Sequence, residues 1–455
     1  MSITSTTPET RKKMPPKLRG GLPYFGRALE FAQNPVKLLQ RGREQFGEIF
    51  SFLLAGKQVT VLTGSEANEA FFKASDDRLS AREAYQFMVP IFGKGIAYDV
   101  SPELMDEQLG FVFPALREER MQTYVRLMRE EAEAYFTAWQ DMGEIDLLAA
   151  MNELTIFIAS RCLIGQEFRQ NVTTEFARLY RDLEGGINLI AFFFPNLPLA
   201  SFQRRDRARL RMVELISPII ARRRERGIEG EDFLQALMNA RYADGTALSD
   251  DNITGLLLTL LFAGQHTSAV LATWTGILLF QHPQYLPAIV REREEIFGSN
   301  SEITLEKLNK LVCLERAIRE AMRMRPPLIM LMRTIVKDFE YKDYVMPAGG
   351  LAMVAAAVSH YIPELFPDPE QYNPDRFAPP REEHRRHRYA TIGFGGGRHR
   401  CIGEAFAYQQ VKVIWTVLLE KFDFELMQQN YEPNYSTFVI GPKQPCLVRY
   451  RRKQK

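Results

Sequence analysis

Cysteine is scarce in this chain, with four in 455 residues: Cys162, Cys313, Cys401 and Cys446. They stand far apart and form no C-x-x-C pair. A disulfide scaffold is thereby disfavoured, as is a zinc ribbon, a thioredoxin-like motif or an iron–sulfur cluster held by this chain. Excess charge is scarce too. Lys plus Arg (58) nearly balance Asp plus Glu (56), leaving +2, which argues against a generally basic nucleic-acid binder and an acidic disordered tail. No apolar run follows Arg11, Lys12 and Lys13, so the start reads as neither signal peptide nor membrane anchor. Residues 1–21, with Pro15 and Pro16, are expected to form a mobile leader before one large domain over residues 22–455. A soluble, cytoplasmic protein is the simplest expectation. Internal repeats, Gly/Ser linkers and low-complexity blocks are also missing.

What is present is mostly helical pattern. Glu118 to Met142 and Arg204 to Arg226 place Arg and Glu at helical spacings. Arg222, Arg223 and Arg224 read as a solvated face. Strand signals are short: Gln58 to Leu62, Phe339 to Tyr344, Leu351 to Val354 and Leu447 to Tyr450. The expected class is mainly α with small β-sheets (α+β). Between Asp251 and Arg291 there is no Asp, Glu, Lys or Arg. That stretch is long enough to cross a bilayer. Gln265, His266, Thr267 and Ser268 at its centre would be costly in lipid, so a buried helix through the middle of the globule is the better reading. A polar cluster there points to function.

The richest local signal is FGGGRHRCIG, Phe394 to Gly403. It lacks the Lys-Ser or Lys-Thr of a phosphate loop and the spacing of a dinucleotide loop. It puts one cysteine on a glycine-rich turn, just after cations and just before a helical pattern from Ile402 to Phe422. Turn N–H groups and the positive end of that helix should lower the thiol's pKa. Glycines let a flat ligand come close, and Arg and His can reach anionic groups on its edge. Haem bound through cysteine fits that description.

The same residues resemble the haem signature of the cytochrome P-450 superfamily, F-x-x-G-x-[RH]-x-C-x-G, with Phe394, Gly397, His399, Cys401 and Gly403. Glu320-Ala-Met-Arg323 resembles the family's E-x-x-R. Pro374-Asp-Arg376-Phe377 resembles its P-E-R-F element, with Asp375 for Glu. Ala263 to Thr267 resembles its oxygen-binding turn. Within the superfamily, His266 before Thr267 and the run Tyr85 to Asp99 (YQFMVPIFGKGIAYD) are similar to sterol 14α-demethylases. Arg204-Arg-Asp206-Arg-Ala208 and Leu331-Met-Arg333 are similar as well. Gly396 replaces the subfamily's alanine.

The resemblance implies a cytochrome P-450 fold, a single haem-binding domain and haem b on Cys401. It implies that Tyr85, Tyr98, Arg333 and His399, with Arg398, Gly397 and Phe394 of the signature, hold the cofactor. Glu320, Arg323 and Arg376 would brace the cysteine loop. Thr267 and His266 would manage protons, with Asp206 as the acid paired to His266. Phe87, Met88, Phe92, Phe262, Ala263, Leu328, Leu331, Met332 and Phe438, beside Tyr85, would line a sterol cavity. Asp106 falls where the subfamily usually has a cation. Its helix is therefore expected to turn away, or Arg398 to compensate. The implied activity is removal of a sterol's 14α-methyl group in three O2-dependent oxidations that release formate. Electrons would come from NAD(P)H through a ferredoxin or similar donor, separate or fused beyond Lys455. A related monooxygenase of another terpenoid or lipid is the alternative. A haem-thiolate gas sensor or carrier is the non-enzyme reading, and the complete oxygen-binding turn speaks against it. Leu189 to Pro198, with three consecutive phenylalanines, is expected to be a cavity lid with surface attachment to a membrane open to it. Arg449, Arg451, Arg452 and Lys453 are expected to be solvated.

Overall fold

The charge-free segment is one helix, Asp250–Gln281. Its 32 residues run about 48 Å at 1.5 Å each. Ser249 caps it by accepting from the Asn252 N–H, and Asp250 and Asp251 sit in the first turn, where acids suit the positive end. It is apolar nearly all round, so other helices enclose it. Leu147–Ala159, Val312–Met324 and Glu404–Lys421 all pack on it. Gly276 permits the close approach of the last of these: a Cβ there would lie 2.2 Å from the Trp415 ring, whose N–H donates to the Ala272 carbonyl at 2.9 Å. Two spans, Leu147–Ile164 and Asp250–Gln281, are long and apolar enough to cross a membrane, and each is 67% buried within the fold, as core helices are.

This computed structural model describes residues 12–170, 174–230, 232–298 and 302–454. Small sheets flank the helices. The largest has five strands in the order Ile49–Leu54, Lys57–Leu62, Leu351–Val354, Leu331–Ile335, Leu79–Ser80. Side chains alternate along a strand, so Leu331 and Arg333 share one face and Met332 takes the other. A second sheet orders Met142–Asp146, Leu447–Arg452 and Phe422–Leu426.

Several expectations need correction. Phe339 to Tyr344 is a hairpin, Phe339–Tyr341 with Tyr344–Met346, turned at Lys342 with φ 49°. The Glu118 helix stops at Thr137 because Met142–Asp146 joins a sheet. Arg223 is only 4% exposed and forms a two-pronged pair with Asp232, both bonds 2.8 Å. Of the C-terminal cations, Arg449 and Arg451 on the middle strand are exposed as expected, while Arg452 and Lys453 are half-buried. Arg449 pairs with Glu144 and Glu425, and Arg452 covers the Phe422 ring at 4.7 Å. The first part of the expected leader lies outside the described residues. From Lys13 onward the chain is no mobile leader. The Lys13 N–H donates to the Asp343 carbonyl, Leu18 to Ser51, and Ser51 to Pro16. The edge strand Ile49–Leu54 leaves backbone groups open, and this segment satisfies them.

Candidate functional site

Phe394 to Gly403 turns and enters the helix Glu404–Lys421. Gly397 has φ +59°, and a Cβ there would strike the Phe72 carbonyl oxygen at 2.2 Å, so this close approach requires glycine. Gly396 is extended, yet a Cβ would sit 2.7 Å from the Tyr389 ring and 3.0 Å from the Phe72 ring. The Cys401 N–H donates to the Phe394 carbonyl at 2.9 Å and closes the turn. The Gly403 N–H bonds the sulfur. The expected lowering of the thiol's pKa is not met. Solvent reaches the side chain, but the protein around the sulfur desolvates it and pushes the thiol up, against the pull of Gly403 and Arg400. A coordinated metal would supply the ionisation, since it deprotonates a thiol outright.

Behind the turn lies a buried ionic network. Glu320 and Arg323 are one turn apart on Val312–Met324, and Arg376 comes from the short turn Pro374–Phe377. Arg323 Nε donates to Glu320 at 2.8 Å and Arg376 Nε at 2.9 Å. A fourth member, Glu383, accepts from Arg376 at 2.7 Å and, on its other oxygen, from the more exposed Arg381, whose Nε donates at 2.9 Å. The remaining guanidinium N–H groups find the carbonyls of His360, Pro367, Pro369 and Gln371. His360 ties this network to the cysteine loop. Its Nδ1 lies 3.0 Å from the Arg323 carbonyl, and its Nε2 accepts from the Ile392 N–H at 2.8 Å. Those partners fix one neutral tautomer.

On the central helix, Ala263 is exposed and a Cβ on Gly264 would meet nothing within 4 Å. The Thr267 hydroxyl donates to the Ala263 carbonyl. His266 Nδ1 pairs with Glu184 at 2.8 Å. The expected partner, Asp206, is elsewhere: it is 56% exposed and pairs with its neighbour Arg205 at 2.7 Å. Arg205 is itself anchored to the Pro195 carbonyl and stacked on Phe202, which holds Asp206 at the helix surface.

Aromatic rings gather near this turn. Phe87 meets Phe192 at 5.4 Å and Phe438 at 5.7 Å, Phe92 meets Phe262 at 6.3 Å, and Phe262 stacks on Tyr180 at 4.5 Å. Met88 is buried in the same core. Met332 lies with Phe192 against a neighbouring cluster, and Leu328, four residues earlier, is half-buried. Leu331 departs from the expected lining. It shares Arg333's face and packs toward Gly395 of the cysteine turn, within the cluster that holds Phe72 and Tyr389.

Tyr85 and Tyr98 stack at 5.2 Å, and burial raises both hydroxyls' pKa values. The Arg333 charge acts on both. Arg333 is 3% exposed, and its Nη1 is buried with no partner among the described residues. His399 and Arg398 are held by acids. His399 Nε2 is 2.7 Å from Asp76, and Arg398 reaches Asp76 at 3.0 Å and Asp106 at 2.6 Å. The helix Pro102–Val112 therefore stays close to the cysteine turn, with Arg398 answering its acid.

The Cytochrome P450 family pattern matches residues 15–448. The chain belongs to the cytochrome P450 family. A Sterol 14-demethylase of Arabidopsis thaliana is 39% identical, over 99% of this chain and 93% of that one. A Sterol 14alpha-demethylase of Mycobacterium bovis is 40% identical, over 96% and 98%. A Lanosterol 14-alpha demethylase of Bos taurus is 36% identical, over 98% and 89%. Among solved structures, a retinoic acid-bound cyanobacterial P450 superposes with TM-score 0.86 at 25% identity, over 97% of this chain and all of that one.

The P450 assignment implies haem and O2, and the residues present fit a haem. An orphaned guanidinium nitrogen on Arg333 suits an anionic edge, the open face at Ala263 and Gly264 suits a flat ring, and Cys401 supplies the thiol. Sequence reasoning missed Glu184, Asp76, Glu383 and His360. Only His360 left a trace, as a lone histidine in an apolar run, and that pattern is more often core.

Proposed function

We propose that this P450 is a sterol 14α-demethylase. It removes the 14α-methyl group of a lanosterol- or obtusifoliol-type precursor in three successive oxidations, each using O2 and two electrons, and the carbon leaves as formate. The observation that carries this reading is the near-full-length likeness to 14-demethylases of a plant, bacteria and an animal, alongside an aromatic cluster beside Ala263 and Gly264. Haem on Cys401 supplies the activation of O2. Arg333, Tyr85 and Tyr98 would hold its carboxylates. Phe87, Phe92, Phe262 and Phe438 exclude water and seat the flat sterol. Thr267 carries a proton at its hydroxyl, and His266 delivers one from solvent. Glu184 at Nδ1 leaves His266 Nε2 free to accept and release. Electrons come from NAD(P)H through a ferredoxin or similar small protein, since the sequence has no flavin or iron–sulfur motif of its own. The short helix Leu189–Phe193 serves as the lid. Ile190, Phe194, Leu197 and Leu199 stay exposed around it, and they suit a lipid surface from which a sterol is drawn.

The test is incubation of the holoenzyme with a redox donor and each sterol, with mass spectrometry of products and an assay for formate. The 14-demethylated sterol and formate should appear together. Their absence, with a thiolate-type carbon monoxide spectrum intact, would overturn the reading. Cys401→Ala should abolish that spectrum, and Cys162→Ala, Cys313→Ala and Cys446→Ala should not.

A further inference from the structure

A cavity of about 480 Å³ opens where the helix Pro35–Phe46, the end of Val312–Met324 and the loop with Tyr435 and Ile440 meet. No step of the proposed reaction uses it. Its volume falls within the range of about 300–1,000 Å³ usual for small-molecule sites. The base is apolar: Ile329, Ala357 and Ile440 form a small buried cluster of their own. Trp274, two turns beyond Thr267 on the central helix, lines it as well, and Arg325 lies over that ring at 5.4 Å.

Arg325 explains itself only in part. As a cation at a helix C-terminus it donates through Nη1 to the Met324 carbonyl at 3.1 Å and to the Tyr361 hydroxyl at 3.0 Å. Its Nε is buried with no hydrogen-bond partner among the described residues. The Tyr435 hydroxyl, also at the cavity, lies within reach of the Arg325 charge and likewise bonds no described residue. Lys37 and Glu370 stand at the cavity without an ion pair among the described residues. Two cations against one carboxylate leave one positive charge over. Unfilled donors, an aromatic wall and an apolar base ask for one kind of guest.

We propose that this cavity binds a monoanionic amphiphile, a long-chain carboxylate. Its head would sit on Arg325 and Tyr435, and its apolar body on Trp274, Ile329 and Ile440. The site is next to the sterol region through two links. Ile329 follows Leu328, and the Ile440 N–H donates to the Pro327 carbonyl at 2.8 Å, two residues from Phe438. The proposal stands whether or not the substrate is a sterol.

The test titrates laurate, below its micelle concentration, into the holoenzyme while heat and the Soret band are followed together. Saturable heat at one laurate per chain, with no Soret shift, is expected, and dodecyltrimethylammonium should give none. Charge-assisted bonds are the strong ones, so Arg325→Gln should weaken laurate binding about tenfold or more. Tyr435→Phe and the rim reversal Lys37→Glu should each weaken it about threefold. Should Arg325→Gln fail to fold, the other two variants decide alone. Heat that tracks a Soret shift puts laurate on the haem side and overturns the proposal. So does equal binding of the cation, or unchanged affinity in both Tyr435→Phe and Lys37→Glu.

Discussion

Two acid–base arrangements in this P450 differ in what surrounds them. Glu320, Arg323, Arg376 and Glu383 are at most 1% exposed, sum to zero charge and fill their remaining donors with backbone carbonyls. His266 and Glu184 are 24% and 28% exposed and share a single bond between two helices. Removing one member of the first leaves an uncompensated charge with no water to take it. Breaking the second leaves groups that water can serve. The first is therefore suited to holding the cysteine loop in one shape. The second is suited to opening and closing, as a proton path must.

The harshest way to break this contrast is Glu320→Ala. Two buried arginines lose their shared acid, and the expected loss is about 3–5 kcal/mol of stability. Urea titration of the holoenzyme should show it, with the thiolate carbon monoxide band fading in step. Glu306→Ala, whose exposed pair with Lys310 water can replace, should leave stability nearly unchanged. Similar losses in both would mean the network carries no special weight.

Next comes pH, through His360. Burial pushes its pKa down from 6.5 to about 4. The unfolded chain therefore binds a proton that the folded one refuses once pH drops below 6.5. Stability is whole above 6.5 and falls as pH goes toward 4, by about 3 kcal/mol in all, since each unit of difference is worth about 1.4 kcal/mol. His360→Gln keeps a donor and an acceptor but cannot titrate. Its stability should decline less over this window. An identical decline would place the acid sensitivity in another group.

The relay should respond more mildly. Glu184→Gln is expected to lower sterol turnover about tenfold with sterol binding and the carbon monoxide spectrum unchanged, and Asp206→Ala should leave turnover near normal. Because Glu184 and His266 act as one unit, the double change to Gln and Ala should be little worse than His266→Ala alone. A large loss in Asp206→Ala would restore the pairing that the resemblance implied.

The same contrast governs what could be read from the sequence. Cys401, its glycine turn, Glu320 with Arg323, and the central helix are local patterns. Spacing and composition carry them, and each sits where its pattern implies. The pairing of His266 is a contact across 82 positions, and nothing in Thr174–Glu184 marks Glu184 as the chosen acid. Asp206 looked right because its neighbours match a subfamily segment, but Arg205 turns it outward. Leu331 and Met332 show a finer limit. Their strand was not among the expected ones, so the alternation that separates their faces had no register to start from.

The smallest expected effect belongs to the outermost charges, Asp76, Arg398 and Asp106. Arg398 is 43% exposed and divides itself between the two acids. It sits three residues before Cys401, where a cation suits an anionic haem edge. While Asp106 holds one side of its guanidinium, it is less free to serve there. Asp106→Asn removes the charge and keeps the shape, so haem loss to an acceptor apoprotein should slow about twofold. Asp106→Lys adds repulsion on Arg398 and a second cation, so the slowing should be larger, about threefold, and both should weaken as salt rises. Faster loss in both variants would mean that the Asp106 pair steadies the turn, and that Arg398 belongs with the bracing charges.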